Sequence, residues 1–259
     1  GLAKGIRPQI TQIRMEKDMN YGQKLQQAFT FFFKDPAWIS KLAIAAGLSL
    51  FNVLIIPIFM VAGYGYRIMQ GVIVGRKPPE LPEWKDWGGL LKDGLRVYAV
   101  GLVYALPAIL VMLASVAIFF VSAIPMMDDG SIEPWMPVLW LSMPVAFVLI
   151  TLLSIPMQLI GQVAMAHLVA KDRFSAAFQF GELWAIFKAN AGGFILSWLI
   201  VYAATIGFAF VSQFVMYTVV LCVIYPLVIS AGGAYLGVVS YVLYAQAYVE
   251  AVENREGTS

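Results

Sequence analysis

Along the 259-residue chain, charged side chains gather in short clusters separated by long uncharged runs. Four runs stand out: residues 42–66 (25 residues), 97–127 (31), 134–170 (37) and 189–249 (61). A helix needs roughly 20 apolar residues to cross about 30 Å of hydrocarbon, so each run is long enough for at least one crossing. The last is too long for one straight helix, which would rise about 90 Å. It predicts two crossings with a break near Tyr225 and Pro226, because proline deletes a helix hydrogen bond and clashes with the preceding turn.

The basic residues set the sidedness. All 17 lie in four segments: seven before residue 42, six in 67–96, three in 171–188, and Arg255. The remaining loop, 128–133, holds three acids and no cation. Lys and Arg near span ends stay on the cytoplasmic side, which places all four basic segments inside and the acidic loop outside. An even number of crossings must then precede Arg67, so the first run predicts a hairpin turning near Pro57. The expected fold is all-α: a polytopic transmembrane helical bundle of about six spans in the inner membrane, with both termini cytoplasmic. The spans are about 38–56, 57–77, 97–125, 135–165, 190–217 and 220–249. The hairpin legs are short, and Arg67 falls about 15 Å below the tip, near mid-bilayer, where a charge is costly unless paired or facing a wet cavity. A re-entrant loop or a single crossing are the alternatives.

Three segments read as amphipathic helices of the membrane interface, about 21–33, 83–95 and 172–188. The first places Leu25, Ala28, Phe29, Phe32 and Phe33 on one face. The second does so with Trp84, Trp87, Leu91 and Leu95, and the third with Phe174, Phe178, Trp184 and Phe187. Short cytoplasmic helices packed on the bundle floor would show the same pattern. Residues 1–18 are polar and aperiodic and read as a disordered basic tail or an upstream extension, with Met15 or Met19 as the natural start; 19–259 form a single transmembrane domain.

The first and third amphipathic segments parallel one another: residues 27–31 (QAFTF) match 176–180 (AAFQF). Residues 57–66 match 226–235 without a gap, pairing Pro57 with Pro226, Ala62 with Ala231, Gly63 with Gly232 and Tyr66 with Tyr235. The expectation is an internal repeat of amphipathic helix, hairpin and Pro-x4-Ala-Gly-x2-Tyr, with a longer first leg in the second copy.

Composition sharpens the exclusions. The chain is 61% apolar and 12% charged, against about 25% charged in soluble domains, and its mean hydropathy is +0.79; a water-soluble fold is excluded. With one histidine, His167, and one cysteine, Cys222, neither a disulfide framework nor a zinc or iron–sulfur cage built from this chain alone is available. A net charge of +2 gives no case for nucleic acid, and no cofactor is expected.

Individual residues carry competing readings. Glycine-interrupted segments repeated in two halves point to a transporter site, with Arg67 the ionisable residue at depth; yet Gly71-x3-Gly75 and Gly233-x3-Gly237 equally fit close helix packing. His167 is an interfacial hydrogen-bonding residue or, less simply, a ligand or proton relay. Gln158 and Gln162 suit hydrogen bonds between helices, and Tyr241, Tyr244 and Tyr248 suit an aromatic belt. There is no phosphate loop, H-E-x-x-H or G-x-S-x-G. Glu83, Asp86, Asp93 and Glu182 read as a solvated face, or as the acid–base or metal-holding set of a lipid-headgroup enzyme.

Several stretches resemble an uncharacterised family of bacterial and archaeal integral membrane proteins, domain of unknown function 4013. They are Phe33-Lys34-Asp35-Pro36-x-Trp38, Leu81-Pro82-Glu83-Trp84-x-Asp86-Trp87-Gly88-x-Leu90-x-x-Asp93-Gly94-Leu95, Phe174-Ser175-Ala176-Ala177-Phe178-x-Phe180-Gly181-Glu182 and Tyr244-Ala245-Gln246-Ala247-Tyr248. The resemblance implies a multi-helix membrane bundle and brings no activity, substrate or catalytic residue. The leading functional expectation is a non-catalytic binding or scaffold module whose cytoplasmic side, including Trp84, Asp86, Trp87 and Glu182, contacts lipid headgroups or a partner protein. A transporter or channel using the Pro/Gly breaks and Arg67, and a lipid-headgroup enzyme, are the alternatives.

Overall fold

The computed structural model describes residues 20–51, 55–128, 136–217 and 223–257. The expected tail, Met15, Met19, Cys222 and most of the acidic loop lie outside them. Among the described residues the chain is all-α, with eight α-helices: α1 Tyr21–Lys34, α2 Trp38–Leu50, α3 Ile56–Ile73, α4 Trp87–Asp128, α5 Met136–Lys171, α6 Phe180–Ala189, α7 Ala191–Tyr217 and α8 Tyr225–Glu256. A short 3₁₀ helix, Phe174–Phe178, precedes α6. Four helices, α4, α5, α7 and α8, are long and apolar enough to cross a membrane. The legs expected to form the first hairpin are shorter: α2 has 13 residues and α3 has 18, rising about 20 and 27 Å.

Local chemistry explains where the helices begin. Asn20 and Gln23 form a reciprocal capping box at α1, satisfying two otherwise orphaned N–H groups. Pro57 and Pro226 each occupy the second position of a helix, α3 and α8, where a missing N–H costs nothing. Both helices thus begin at the expected turn near Pro57 and the expected break near Tyr225 and Pro226, whereas the Pro/Gly-broken helices of the transporter alternative are not seen. α3 and α8 run without interruption through Gly63 and Gly232, and the prolines initiate helices rather than breaking them.

The amphipathic segments also fold differently from the simple pattern. Residues 83–95 form no separate helix, because Trp87 onward is the start of the 42-residue α4. Residues 172–188 divide into the 3₁₀ helix and α6. α1 packs along α8 and buries Ala28, Phe31 and Phe32, while Phe33 is exposed.

α8 is the central post, packed against α1, α2, α3, α5, α6 and α7. Tyr244 and Tyr248 are buried on it, so the tyrosine stripe belongs to the core and not to an aromatic belt. The core is concentrated toward the ends of the helices that carry the basic segments, joining Tyr66, Met69 and Val72 of α3, Val163 to Val169 of α5, and Tyr244 to Ala251 of α8. Elsewhere α4, α5 and α7 expose apolar side chains such as Leu110, Phe120, Trp140, Phe147 and Phe210. Such continuous apolar exposure suits hydrocarbon as the surrounding solvent. The glycines that admit close packing are also not the expected ones. A Cβ on Gly71, Gly233 or Gly237 would meet open space, whereas Gly63, Gly94, Gly65 and Gly232 each lie directly against another helix.

Candidate functional site

The polar chemistry of the described residues collects at the basic end. Arg67, on α3, donates from Nη2 to Asp86 Oδ2 at 2.6 Å and from Nε to Asp93 Oδ2 at 3.4 Å. Asp86 precedes α4 and caps it, its Oδ1 accepting the Gly89 N–H at 3.0 Å. That N–H, then the Arg67 guanidinium, hold the Asp86 carboxyl below the usual carboxylate range. Asp86 and Asp93 therefore converge on the Arg67 guanidinium, which is paired.

Beside this cluster the Trp84 ring stacks on Tyr64 with centroids 4.1 Å apart and planes 4° from parallel, and the Tyr64 hydroxyl donates to the Pro82 carbonyl. Trp84 is buried and Trp87, tilted against it, is exposed. Lys41 donates to Asp35 Oδ2 at 2.6 Å and to the Leu81 carbonyl at 2.8 Å, which ties the segment leading into α4 to α2.

A second cluster surrounds Asp172, the residue after α5, which takes a left-handed conformation with φ 48°. Its Oδ1 accepts from Arg96 Nη1 at 2.7 Å and from the Tyr66 hydroxyl at 3.0 Å, and its carbonyl accepts from Arg96 Nη2 at 2.8 Å. Arg96 first, and Tyr66 second, hold the Asp172 carboxyl below its ordinary range.

His167 and Glu182, well separated in sequence, are brought together. The His167 ring is fully buried, its Nδ1 2.7 Å from the Tyr248 hydroxyl. Its Nε2 lies 3.3 Å from Glu182 Oε2, within ion-pair range but off the line of a hydrogen bond. Lys171 stands 4.0 Å from the other Glu182 oxygen. His167 thus links α5, α6 and α8. Further along α8, Glu250 pairs with Lys24 and accepts from Asn190 Nδ2 at 2.8 Å, and Glu253 pairs with Arg76 at 2.9 Å. Between α5 and α7, Trp198 Nε1 donates to Gln158 at 3.2 Å.

The remaining expected site residues do not join these clusters through side chains. Pro57 and Pro226 are in first turns, Gly63 lies against the Leu90 carbonyl, and Gly232 lies against the Phe208 ring. The two unwound segments that the transporter expectation requires do not occur in α3 or α8. Among the described residues no group of three His, Cys, Asp or Glu side chains is placed to hold a metal ion. The sequence reading missed Tyr66, Arg96, Asp172 and Asn190 as polar partners. Their contacts join residues 57 to 106 positions apart, which no local spacing reveals.

A family profile described as "Protein of unknown function (DUF4013)" matches residues 48–221. No curated protein and no solved structure matches the chain.

Proposed function

Because the chain belongs to the DUF4013 family, whose description assigns no activity, we propose a function from its own charged end. The protein is a multi-pass inner-membrane protein with both termini cytoplasmic. It acts as a non-catalytic binding or scaffold module contacting lipid headgroups or a partner protein at that end.

The observation that carries this reading is the combination of internally neutralised charges with outward aromatic rings. Asp86 and Asp93 are held by Arg67, Asp172 by Arg96, and Glu250 by Lys24, while Trp87, Phe180 and Trp184 remain exposed. Paired carboxylates stiffen a surface; exposed indole and phenyl rings are what such a surface offers to a partner or an interface. Six crossings, with α2 and α3 as short legs, keep every basic segment on one side, and the packing of α2 on α3 supports that hairpin. The internal repeat is supported by the matching order of short helix, leg and proline-started leg in α1–α3 and α6–α8.

Native mass spectrometry after extraction in mild detergent tests the function. Retention of a stoichiometric lipid or protein is the expected result, and a bare chain would overturn the reading.

A further inference from the structure

We propose that the 3₁₀ helix and α6 form a binding surface for anionic phospholipid headgroups; this deepens the reading above and rests on it. The segment is bracketed by two long apolar helices, α5 ending at Lys171 and α7 beginning at Ala191; read as crossings under the proposed function, they set it where they leave the hydrocarbon. Its orientation is set from the inner side. Ala176, Ala177, Leu183 and Ile186 are buried, and the Tyr104 hydroxyl donates to the Ala177 carbonyl at 2.7 Å.

The outer side carries the opposite arrangement from a water-facing helix. Phe180, Trp184 and Lys188, at i, i+4 and i+8, share one face, and Phe180 and Trp184 are 62% and 52% exposed. Lys188 Nζ lies over the Trp184 ring, 6.0 Å from its centroid, so the indole face keeps the ammonium beside the exposed rings. Arg173 is exposed at the start of the segment. Of the two acids of this stretch, Asp172 is held by Arg96, and Glu182 Oε1 stands 4.0 Å from Lys171 Nζ. What the surface offers outward is two cations flanking aromatic rings, which complements phosphate-bearing lipids of net negative charge rather than zwitterionic ones.

The test uses full-length protein equilibrated with an equimolar mixture of phosphatidylglycerol and phosphatidylcholine, read by native mass spectrometry of retained lipid. Wild type is expected to retain phosphatidylglycerol preferentially. Arg173→Gln/Lys188→Gln should reduce that preference about tenfold, while Lys34→Gln/Lys85→Gln, at exposed lysines elsewhere, should preserve it. Phe180→Ala/Trp184→Ala should lower retention of both lipids. An unchanged preference in Arg173→Gln/Lys188→Gln, its loss in Lys34→Gln/Lys85→Gln, or a wild type that holds a partner protein and does not discriminate between the lipids would overturn this inference alone. A wild type that retains neither lipid nor protein would overturn the proposed function with it.

Discussion

Gly63 of α3 and Leu90 of α4 meet backbone to backbone: a Cβ on Gly63 would overlap the Leu90 carbonyl oxygen, and one on Gly94 would overlap the Phe59 carbonyl. The atoms in the way are main chain, so a side chain can be admitted only by moving one helix from the other. Gly63→Ala should therefore destabilise by about 1–3 kcal/mol or more. Gly233→Ala, which meets open space on α8, should be neutral or stabilising by up to about 1 kcal/mol. Thermal unfolding of the two variants in one detergent measures the contrast.

Arg67 serves two carboxylates at once. Replacing it with methionine leaves Asp86 and Asp93 without their shared cation and should lower the melting temperature in detergent, modestly because Asp86 is solvent-exposed. Asp93→Asn should cost less, because Asp86 still holds the guanidinium. A double-mutant cycle on Arg67 and Asp93 should show non-additivity.

The contact between His167 and Tyr248 is buried on both sides. Tyr248→Phe strands the imidazole Nδ1 and should destabilise by about 1–3 kcal/mol. Adding His167→Phe to it should cost less than the sum of the single changes, as measured by unfolding in detergent.

Acid should loosen the basic end. The carboxyls of Asp172, Asp35 and Asp86 all titrate below their ordinary range, held by Arg96, by Lys41 and by the Gly89 N–H respectively. Lowered folded-state values mean that the stabilisation is fully present above the unfolded value of about 3.9 and is lost as the pH falls through the lower folded values. Melting temperature should thus hold down to about pH 4 and drop below it. Asp172→Asn should lower the neutral-pH value and flatten its share of the acid limb.

The parts of this architecture that sequence reveals are those governed by solvent. The uncharged runs 97–127, 134–170 and 189–249, the last holding two, mark the four long apolar helices, because an apolar surface without charges needs no tertiary partner to be recognised. Helix pairing is a different matter. Gly71, Gly233 and Gly237 fit a packing motif yet face open space, while Gly63 and Gly94 make the closest approach without one, since the crossing point depends on how α3 and α4 are placed. Pro57 and Pro226 are legible as points where a new helix begins, because a proline in the first turn lacks only an N–H that would go unpaired there. Tyr244 and Tyr248 have the spacing of a belt, but α8 takes the central position and encloses them. The Arg67 ion pairs answer the difficulty of a charge between apolar runs, with partners drawn from a segment 19 and 26 residues away.

The concentration of packing at one end means that the two ends of this molecule depend on different media. Around Tyr66, His167 and Tyr248 the chain supplies its own neighbours, whereas Phe120, Trp140 and Phe210 are exposed among the described residues and suit an apolar surrounding medium. Stripping away amphiphile should make the helices fray first at the ends with exposed apolar side chains and leave a compact stub around α8, so that loss of the native form begins farthest from the buried core.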